Sequence, residues 1–339
     1  MMIITVKHAA KLLISGEVVA IPTETVYGLA ADARSDAAVS KIFKAKGRPT
    51  DNPLIVHIGD MAQVDALVTA VSAEARLLME HFWPGALTII LPSSGAVSEL
   101  VTAGLPTIGL RMPNHRIALR VLRISGIPLA APSANVSGSP SPTHPEHVMY
   151  DLHDRIAGII DSDVCKLGLE STIIDMTLDT PVILRPGCIS KEEIEAIIGP
   201  VEFAAEDSPE KPKAPGMKYR HYAPNAKLYI VKANPRFVQS IVQELGKKKY
   251  GLKVGVLCHL SCKKLYKKAH VVEGIKTTGE DLYAKLRIFN QKNVDIIFSE
   301  YFDDVVVMNR LIKASGNQII DESFDIEERI LREMEDWRY

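Results

Sequence analysis

The chain has 339 residues, a hydrophobic fraction of 47%, a charged fraction of 24% and a formal net charge of −1. This composition is that of a soluble globular protein, and the length predicts either one very large domain or two ordinary ones. No uninterrupted apolar run approaches the roughly 18 residues that span a bilayer, which excludes a membrane-spanning protein. Lys7 and Lys11 interrupt the apolar start, which does not resemble a signal peptide, so a cytoplasmic protein is expected.

Residues 1–200 alternate short apolar strands with amphipathic helices. The last of these helices begins with a capping box, in which Glu193 follows Ser190 by three positions. We expect the elements to form a mixed α/β sheet. Helices are predicted at 6–16, 35–47 and 190–199, and buried strands at 17–23, 53–58, 86–92, 107–113, 128–132, 171–177 and 181–187.

The second half follows a more regular pattern. It contains neither G-x-G-x-x-G nor a P-loop, so its fold alone does not predict a nucleotide site. We predict domains at 1–203 and 226–339, joined by a proline-rich linker at 204–225. Strands at 227–232, 253–258 and 294–300 alternate with helices at 235–249, 279–293 and 303–316, which predicts a doubly wound parallel sheet.

Charge is distributed unevenly along the chain. Residues 1–200 carry 16 Lys and Arg against 21 Asp and Glu, whereas residues 226–339 carry 20 against 16. An acid-free segment inside the acidic half favours an anionic small ligand over a duplex-binding face, with chance clustering on a solvated helix as the alternative. This segment, 100–145, contains Arg111, Arg116, Arg120 and Arg123.

Only two of the four cysteines, Cys258 and Cys262, lie close together in sequence. A zinc site at this C-x3-C spacing would need two more ligands, for which His259 and His270 are the candidates. We expect reduced structural thiols instead, and no metal site.

The stretch KAKGRP is informative because Gly47 interrupts a helix between Lys46 and Arg48. The two cations can then converge on one polyanion. The compact ammonium of Lys46 and the planar, bidentate guanidinium of Arg48 would together suit a triphosphate. The alternative is that they only complement the dipole at the helix end.

The stretch PSANVSGSPSP follows the predicted strand at 128–132 and is too polar to be a strand or helix. Open α/β sheets bind ligands in loops at this position, and its hydroxyls and backbone N–H groups can donate to phosphate or ribose. A flexible surface loop is the alternative. No catalytic triad or dense Asp cluster is visible, so the reaction needs positioning and charge neutralisation more than a protein nucleophile.

Together these motifs resemble the YrdC-type family of L-threonylcarbamoyladenylate synthases. The resemblance covers roughly 1–200 and rests on K-x-R at 46–48, S-x-N at 133–135 and the segments PTETVYGL, WPGALT, STIID and LRPG. The linker and 226–339 look like the long, Sua-type form with an extra domain. The implied fold is a mixed twisted-sheet YrdC-like catalytic domain plus a smaller Rossmann-like doubly wound domain.

The resemblance implies a reaction in which L-threonine, bicarbonate and ATP give threonylcarbamoyl-AMP and pyrophosphate, with Mg²⁺ accompanying ATP. A separate threonylcarbamoyl transferase complex would then modify tRNA, and a weak direct contact with tRNA is part of the expectation. The implied threonine contacts are Thr25, His57, Arg111, Ala131 and Ser171. The implied ATP contacts are Lys46, Arg48, Asn52, Thr107, Ser133, Asn135, Ser141, Arg185 and Tyr222.

The linker ends in YRHYAP, which contains more binding-type residues than a tether needs. In the long form we expect it to fold over the active site, with Tyr222 on the nucleotide and Tyr219, Arg220 and His221 closing the mouth. The alternative is that these aromatic residues dock the tether.

Two other functions compete with the synthase. One is a non-catalytic module that binds tRNA or rRNA, which the net negative charge of residues 1–200 disfavours. The other is carbamoyl transfer from carbamoyl phosphate, which usually comes with zinc-finger and acylphosphatase modules that are not visible here.

Overall fold

A computed structural model describes residues 2–205, 213–215, 221–246 and 250–323. It divides into two compact units, Met1–Tyr219 (unit 1) and Arg220–Tyr339 (unit 2). Tyr219 and Arg220, two of the predicted lid residues, lie outside the described residues. No helix in the described ranges combines the length and the apolar character needed to cross a membrane.

Unit 1 is built on a ten-stranded mixed sheet in the order β10-β9-β8-β4-β5-β3-β6-β2-β1-β7. The predicted mixed α/β sheet is therefore confirmed. The strands are β1 Val19–Ile21, β2 Gly28–Asp32, β3 Ile55–His57, β4 Leu87–Pro92, β5 Thr107–Arg111, β6 Leu129–Ala130, β7 Gly158–Ile159, β8 Thr172–Asp175, β9 Val182–Arg185 and β10 Glu202–Phe203.

The predicted helix boundaries depend on capping residues that the structure confirms. Ser35 caps the N-terminus of α2, Gly47 ends it in the left-handed conformation, and Ser190 with Glu193 forms the capping box of α8. The helices are α1 Val6–Ile14, α2 Asp36–Lys46, α3 Val64–Leu67, α4 Ala73–Phe82, α5 Glu99–Thr102, α6 Arg116–Ser125, α7 Pro145–Leu152 and α8 Lys191–Ile198.

The two faces of the sheet differ. One face packs on the main core, to which buried residues of α2, α4, α7 and α8 contribute. On the other face, α1 and α6 cover the end that contains β1, β2 and β6. Ala214 covers part of the opposite end, packed with Ile55, Ile90 and Ile173. On this second face, the strand residues between the part covered by α1 and α6 and the part covered by Ala214 can line a binding site.

Unit 2 contains a five-stranded sheet in the order β13-β12-β14-β11-β15. All of its strand pairs are parallel, which confirms the predicted doubly wound α/β class. The strands are β11 Lys227–Val231, β12 Val254–His259, β13 Val271–Ile275, β14 Ile296–Glu300 and β15 Ile319–Ile320, and the helices are α9 Pro235–Leu245, α10 Leu282–Gln291 and α11 Val305–Ser315.

Candidate active site

Arg111, at the end of β5, is a buried cation with three defined partners. Its Nε donates to the carbonyl of Gly85 and its Nη1 donates to Oγ1 of Thr25, each at 3.1 Å. Its Nη2 lies 2.7 Å from Oε1 of Glu24, and both side chains are buried. The segments PTETVYGL and WPGALT therefore meet at this guanidinium.

His57, at the end of β3, is the direct strand neighbour of Arg111. Burial and, to a smaller extent, the nearby charge of Arg111 together lower the pKa of its imidazole to about 3. The ring is therefore neutral at physiological pH and is a poor general base, although it can still accept or donate a hydrogen bond.

Ser171 and Arg185 lie together next to the start of β8. Arg185 donates from Nε and Nη2 to the carbonyl of Ser171, at 3.2 and 3.0 Å, and the Ser171 hydroxyl lies 2.8 Å from that of Thr88. A Cβ on Gly187 would lie 2.3 Å from the backbone nitrogen of Thr172. The glycine of LRPG is thus what allows this turn to approach the STIID segment.

Lys46 connects the K-x-R and S-x-N motifs directly. Its ammonium, which the sequence predicted on the nucleotide, binds the loop that contains S-x-N. Its Nζ donates to the carbonyls of Ser133 and Asn135, at 2.5 and 2.7 Å, and the side chain is only 1% exposed. The Asn135 amide in turn donates to the carbonyl of Ser139. The loop at 133–139 is therefore ordered by Lys46.

Arg48 points to a different partner. Its Nη2 donates to the carbonyls of Asn52 and Pro53, at 3.3 and 3.2 Å. Thr107, at the start of β5, lines a small cavity with Pro53 and Thr88. The sequence prediction that Lys46 and Arg48 converge on one polyanion is not visible in these contacts, and phosphate binding by either residue stays a prediction.

The remaining two predicted residues of unit 1 are also buried near these groups. The backbone nitrogen of Ala131 donates to the carbonyl of Ile55 at 3.0 Å. The hydroxyl of Ser141 donates to the carboxylate of Glu170 at 2.5 Å. Both therefore have structural partners of their own, and their substrate contacts stay predictions.

The predicted residues fall into two groups along β5. Thr107 begins the strand and Arg111 ends it, and four residues of strand span about 13 Å. Thr25 and His57 lie next to Arg111, and the register of β5, β4, β8 and β9 places Ser171 and Arg185 level with it along the sheet. Because β3 runs parallel to β5, Asn52 just before β3 lies towards the Thr107 end. We call these groups the Arg111 end and the Thr107 end.

Buried polar groups are concentrated at the Arg111 end. The Glu24 carboxylate forms an ion pair with Nη2 of Arg111 and accepts a hydrogen bond from the backbone N–H of Asn114, and the His57 imidazole bonds to the backbone of Ile55. A carboxylate can accept about four hydrogen bonds and a guanidinium can donate about five, so both groups retain capacity for a polar ligand. Glu24 was not singled out from the sequence, although an acid between two threonines of PTETVYGL was the available signal.

Tyr222 lies in unit 2, and its surroundings there are apolar and cationic. Its ring stacks on Tyr283 with centroids 5.2 Å apart, and the guanidinium of Arg310 lies 5.6 Å from the ring centre. The ring is buried. These contacts favour a docking role, and the nucleotide contact of Tyr222 stays a prediction.

The four cysteines are free thiols, and burial together with the charge of Glu300 raises the pKa of Cys258 to about 12. Within the described ranges, no group of three or more His, Cys, Asp or Glu side chains is arranged to hold a metal ion.

Comparison with known proteins extends along nearly the whole chain. A family model described as "Telomere recombination" matches residues 11–187, and one described as "Threonylcarbamoyl-AMP synthase, C-terminal domain" matches residues 189–316. The chain is 49% identical to the threonylcarbamoyl-AMP synthase of Bacillus subtilis, with 93% of this chain and 94% of that protein aligned. It is 44% identical to the synthase of Pyrococcus abyssi, with 93% and 95% aligned.

Among solved structures, the Pyrococcus abyssi Sua5 protein in complex with L-threonine superposes with a TM-score of 0.87. It is 42% identical, and the superposition covers 93% of this chain and 95% of that one. The similarity therefore includes both units and not the YrdC-like half alone.

Proposed function

The chain belongs to the threonylcarbamoyl-AMP synthase family, and we propose that unit 1 condenses L-threonine, bicarbonate and ATP to threonylcarbamoyl-AMP and pyrophosphate. The observation that carries this assignment is the Arg111 end, where the buried Glu24–Arg111 ion pair retains hydrogen-bonding capacity for a polar ligand. The product is the activated intermediate of the first step in threonylcarbamoyladenosine modification of tRNA. A separate transferase complex would consume it in the cytoplasm.

In this proposal threonine occupies the Arg111 end. Its carboxylate binds the guanidinium of Arg111, a charge-assisted bond of about 1.5–3 kcal/mol. Thr25, Ser171 and the backbone beside Ala131 surround the rest of the molecule, and neutral His57 forms a hydrogen bond with it. One methyl group distinguishes threonine from serine and contributes about 1–3 kcal/mol, so partial use of serine is expected.

ATP occupies the Thr107 end, about 13 Å along β5. Lys46 holds the S-x-N loop in the shape that receives the nucleotide, and Arg48 with Asn52 lies beside the start of β3. The hydroxyls in this proposal bind phosphate and ribose oxygens. The proposed nucleotide residues are Lys46, Arg48, Asn52, Thr107, Ser133, Asn135 and Ser141, together with Arg185 from the Arg111 end and Tyr222 from unit 2.

The chemistry needs positioning more than a protein nucleophile. Bicarbonate takes up a proton and loses water to give carbon dioxide. The threonine ammonium loses one proton, and the resulting amine takes up the carbon dioxide and loses a second proton, which gives a carbamate. A carbamate oxygen attacks the α-phosphorus in line, the bond to the bridging oxygen breaks, and pyrophosphate leaves. Since the low pKa of His57 makes it a poor base, water is the proton acceptor in this proposal. Mg²⁺, bound through the phosphates, would neutralise charge on the leaving group.

One surface feature supports a weak contact with tRNA as well. The packed helices α1 and α6 contain no acidic residue, and four exposed cations on them form no ion pair or hydrogen bond with any described residue. Such cations suit backbone phosphates, and replacing them with Gln should reduce both tRNA binding and its salt dependence. They are Lys7, Lys11, Arg116 and Arg120.

Pyrophosphate release from ATP tests the proposed function. Release should require L-threonine and bicarbonate together, and omission of either should reduce it to background. Release that continues without threonine would contradict the assignment. An otherwise inactive protein with strong salt-dependent RNA binding would favour the binding-module alternative.

A further inference from the structure

We propose that Glu24 is a positioning and specificity residue that binds the amino group of the substrate, so that Glu24 and Arg111 together form a receptor for a zwitterionic amino acid. The inference rests on the proposed function, because it takes L-threonine as the occupant of the Arg111 end.

Oε1 of Glu24 lies 2.7 Å from Nη2 of Arg111, and the backbone N–H of Asn114 also donates to the Glu24 carboxylate. These contacts use only part of the roughly four hydrogen bonds that a carboxylate can accept. A buried carboxylate with spare acceptor capacity, next to a guanidinium with spare donor capacity, can receive a donor and an acceptor on neighbouring atoms. The α-ammonium and α-carboxylate of an amino acid are such a pair.

The Glu24–Arg111 pair is electrically neutral, and both side chains are more than nine-tenths buried. A carboxylate ligand alone would leave a net negative charge in a buried site, which is unfavourable. A zwitterion adds one charge of each sign, so the site stays neutral when the ammonium faces Glu24 and the carboxylate faces Arg111.

The ionisation of Glu24 is consistent with this role. Burial, the largest single effect, raises the pKa of the carboxyl, but the charge of Arg111 together with hydrogen bonds from Arg111 and from the backbone outweighs it, and the net pKa lies below the usual range. Glu24 is therefore an anion at neutral pH. It is a poor proton acceptor, so its role is to hold the amine and not to deprotonate it.

Thr25 makes the arrangement rigid. Its hydroxyl accepts from Nη1 of Arg111 and lies 2.9 Å from the hydroxyl of Thr23. Thr23 in turn donates to the carbonyl of Val26. The loop at 23–26 thus fixes the backbone on both sides of Glu24 and sets where its carboxylate points.

The test is a thermodynamic cycle in which the negative charge of Glu24 and the amino group of the ligand are removed separately and together. Calorimetry on the full-length chain measures binding of L-threonine and of β-hydroxybutyrate, which is threonine without its amino group. In the wild type, threonine should bind about 10- to 100-fold more tightly, as expected for a hydrogen-bonded charge. In Glu24→Gln this preference should largely disappear, mainly through weaker threonine binding. Glu24→Asp should keep part of the preference, because it keeps the charge.

The controls separate the possible failures. Glu17→Gln, which replaces an exposed glutamate paired with Lys41, should leave both affinities unchanged. If Glu24→Gln weakens both ligands equally, Glu24 only supports Arg111 and the inference is overturned. If the wild type does not bind threonine at all, the proposed function itself fails.

Discussion

The buried imidazole of His57 makes the stability of the protein depend on pH. Its pKa of about 3 in the folded protein compares with an ordinary value of 6.5. Between these values the unfolded chain binds a proton that the folded protein does not. The free energy of unfolding should therefore fall as the pH decreases through this range, by up to about 1.36 kcal/mol per pH unit.

Replacement of His57 by Gln should remove this contribution. We predict that the difference in unfolding free energy between wild type and His57→Gln is constant above pH 6.5 and shrinks below it. Urea unfolding at successive pH values measures the difference. His8→Gln, an exposed control on α1, should keep the wild-type dependence. An equal slope in wild type and His57→Gln would show that this imidazole is not held neutral.

Lys46 shows what could be learned from sequence at the scale of one residue. The K-x-R and S-x-N motifs predicted that both segments belong to one site, and the structure brings them into contact. The sequence did not reveal that Lys46 binds the loop carbonyls, because the partners are 87 and 89 positions away. Glu24 was missed for the same reason, since its significance depends on Arg111.

At the scale of elements, the end of α2 determines where Lys46 can reach. Gly47 adopts φ 61° there, and a Cβ at this position would meet no atom within 4 Å. Replacement of Gly47 by alanine therefore strains the backbone, because of the positive φ, but causes no steric clash. Gly126 ends α6 with φ 66° and equally open surroundings, which provides a matched comparison at a helix end without Lys46.

We predict that Gly47→Ala and Gly126→Ala each lower the free energy of unfolding by about 1–2 kcal/mol. Only Gly47→Ala should also raise the KM for ATP, because it displaces the helix end that holds Lys46 against the S-x-N loop. Steady-state kinetics with varied ATP separates the two effects. Equal KM values in both variants would mean that α2 does not position the nucleotide site.

Strands with a continuous apolar run were predictable from the sequence, whereas several other strands were not. The predicted strands at 53–58, 86–92 and 107–113 contain β3, β4 and β5, because their apolar residues are continuous. By contrast, β2 lies inside PTETVYGLAADA, whose small and polar residues obscured a strand that is buried mainly by its neighbours. The predicted strand at 128–132 contains β6, but β7, β10 and β15 have two residues each, too few to give a periodic signal of their own.

At the scale of the whole molecule, the segment between the predicted domains contributes to both units. Ala214 is buried on the sheet of unit 1, and Lys213 pairs there with the buried carboxylate of Asp175 at 3.1 Å. Tyr222 belongs to the core of unit 2. The proline-rich composition predicted an extended connection, but it could not show that single side chains anchor it.

Substitution of Tyr222 tests whether the segment at 204–225 also contacts the nucleotide. We predict that Tyr222→Ala raises the KM for ATP or lowers turnover, beyond its effect on stability. Tyr229→Ala is the matched control, because it also removes a buried ring stacked in unit 2, 5.9 Å from Phe298. Both variants should lose about 3 kcal/mol of unfolding free energy. Unchanged kinetics in a folded Tyr222→Ala protein would support the docking alternative.

The central claim is that one site in unit 1 joins threonine, bicarbonate and the adenylyl part of ATP. Incubation with carbon-13-labelled bicarbonate, followed by mass spectrometry of the nucleotide products, tests it most directly. We predict a threonine-dependent adenylate that carries one labelled carbon, and its loss in Arg111→Gln. An adenylate without the label, or formation of AMP and pyrophosphate that ignores threonine, would contradict the account.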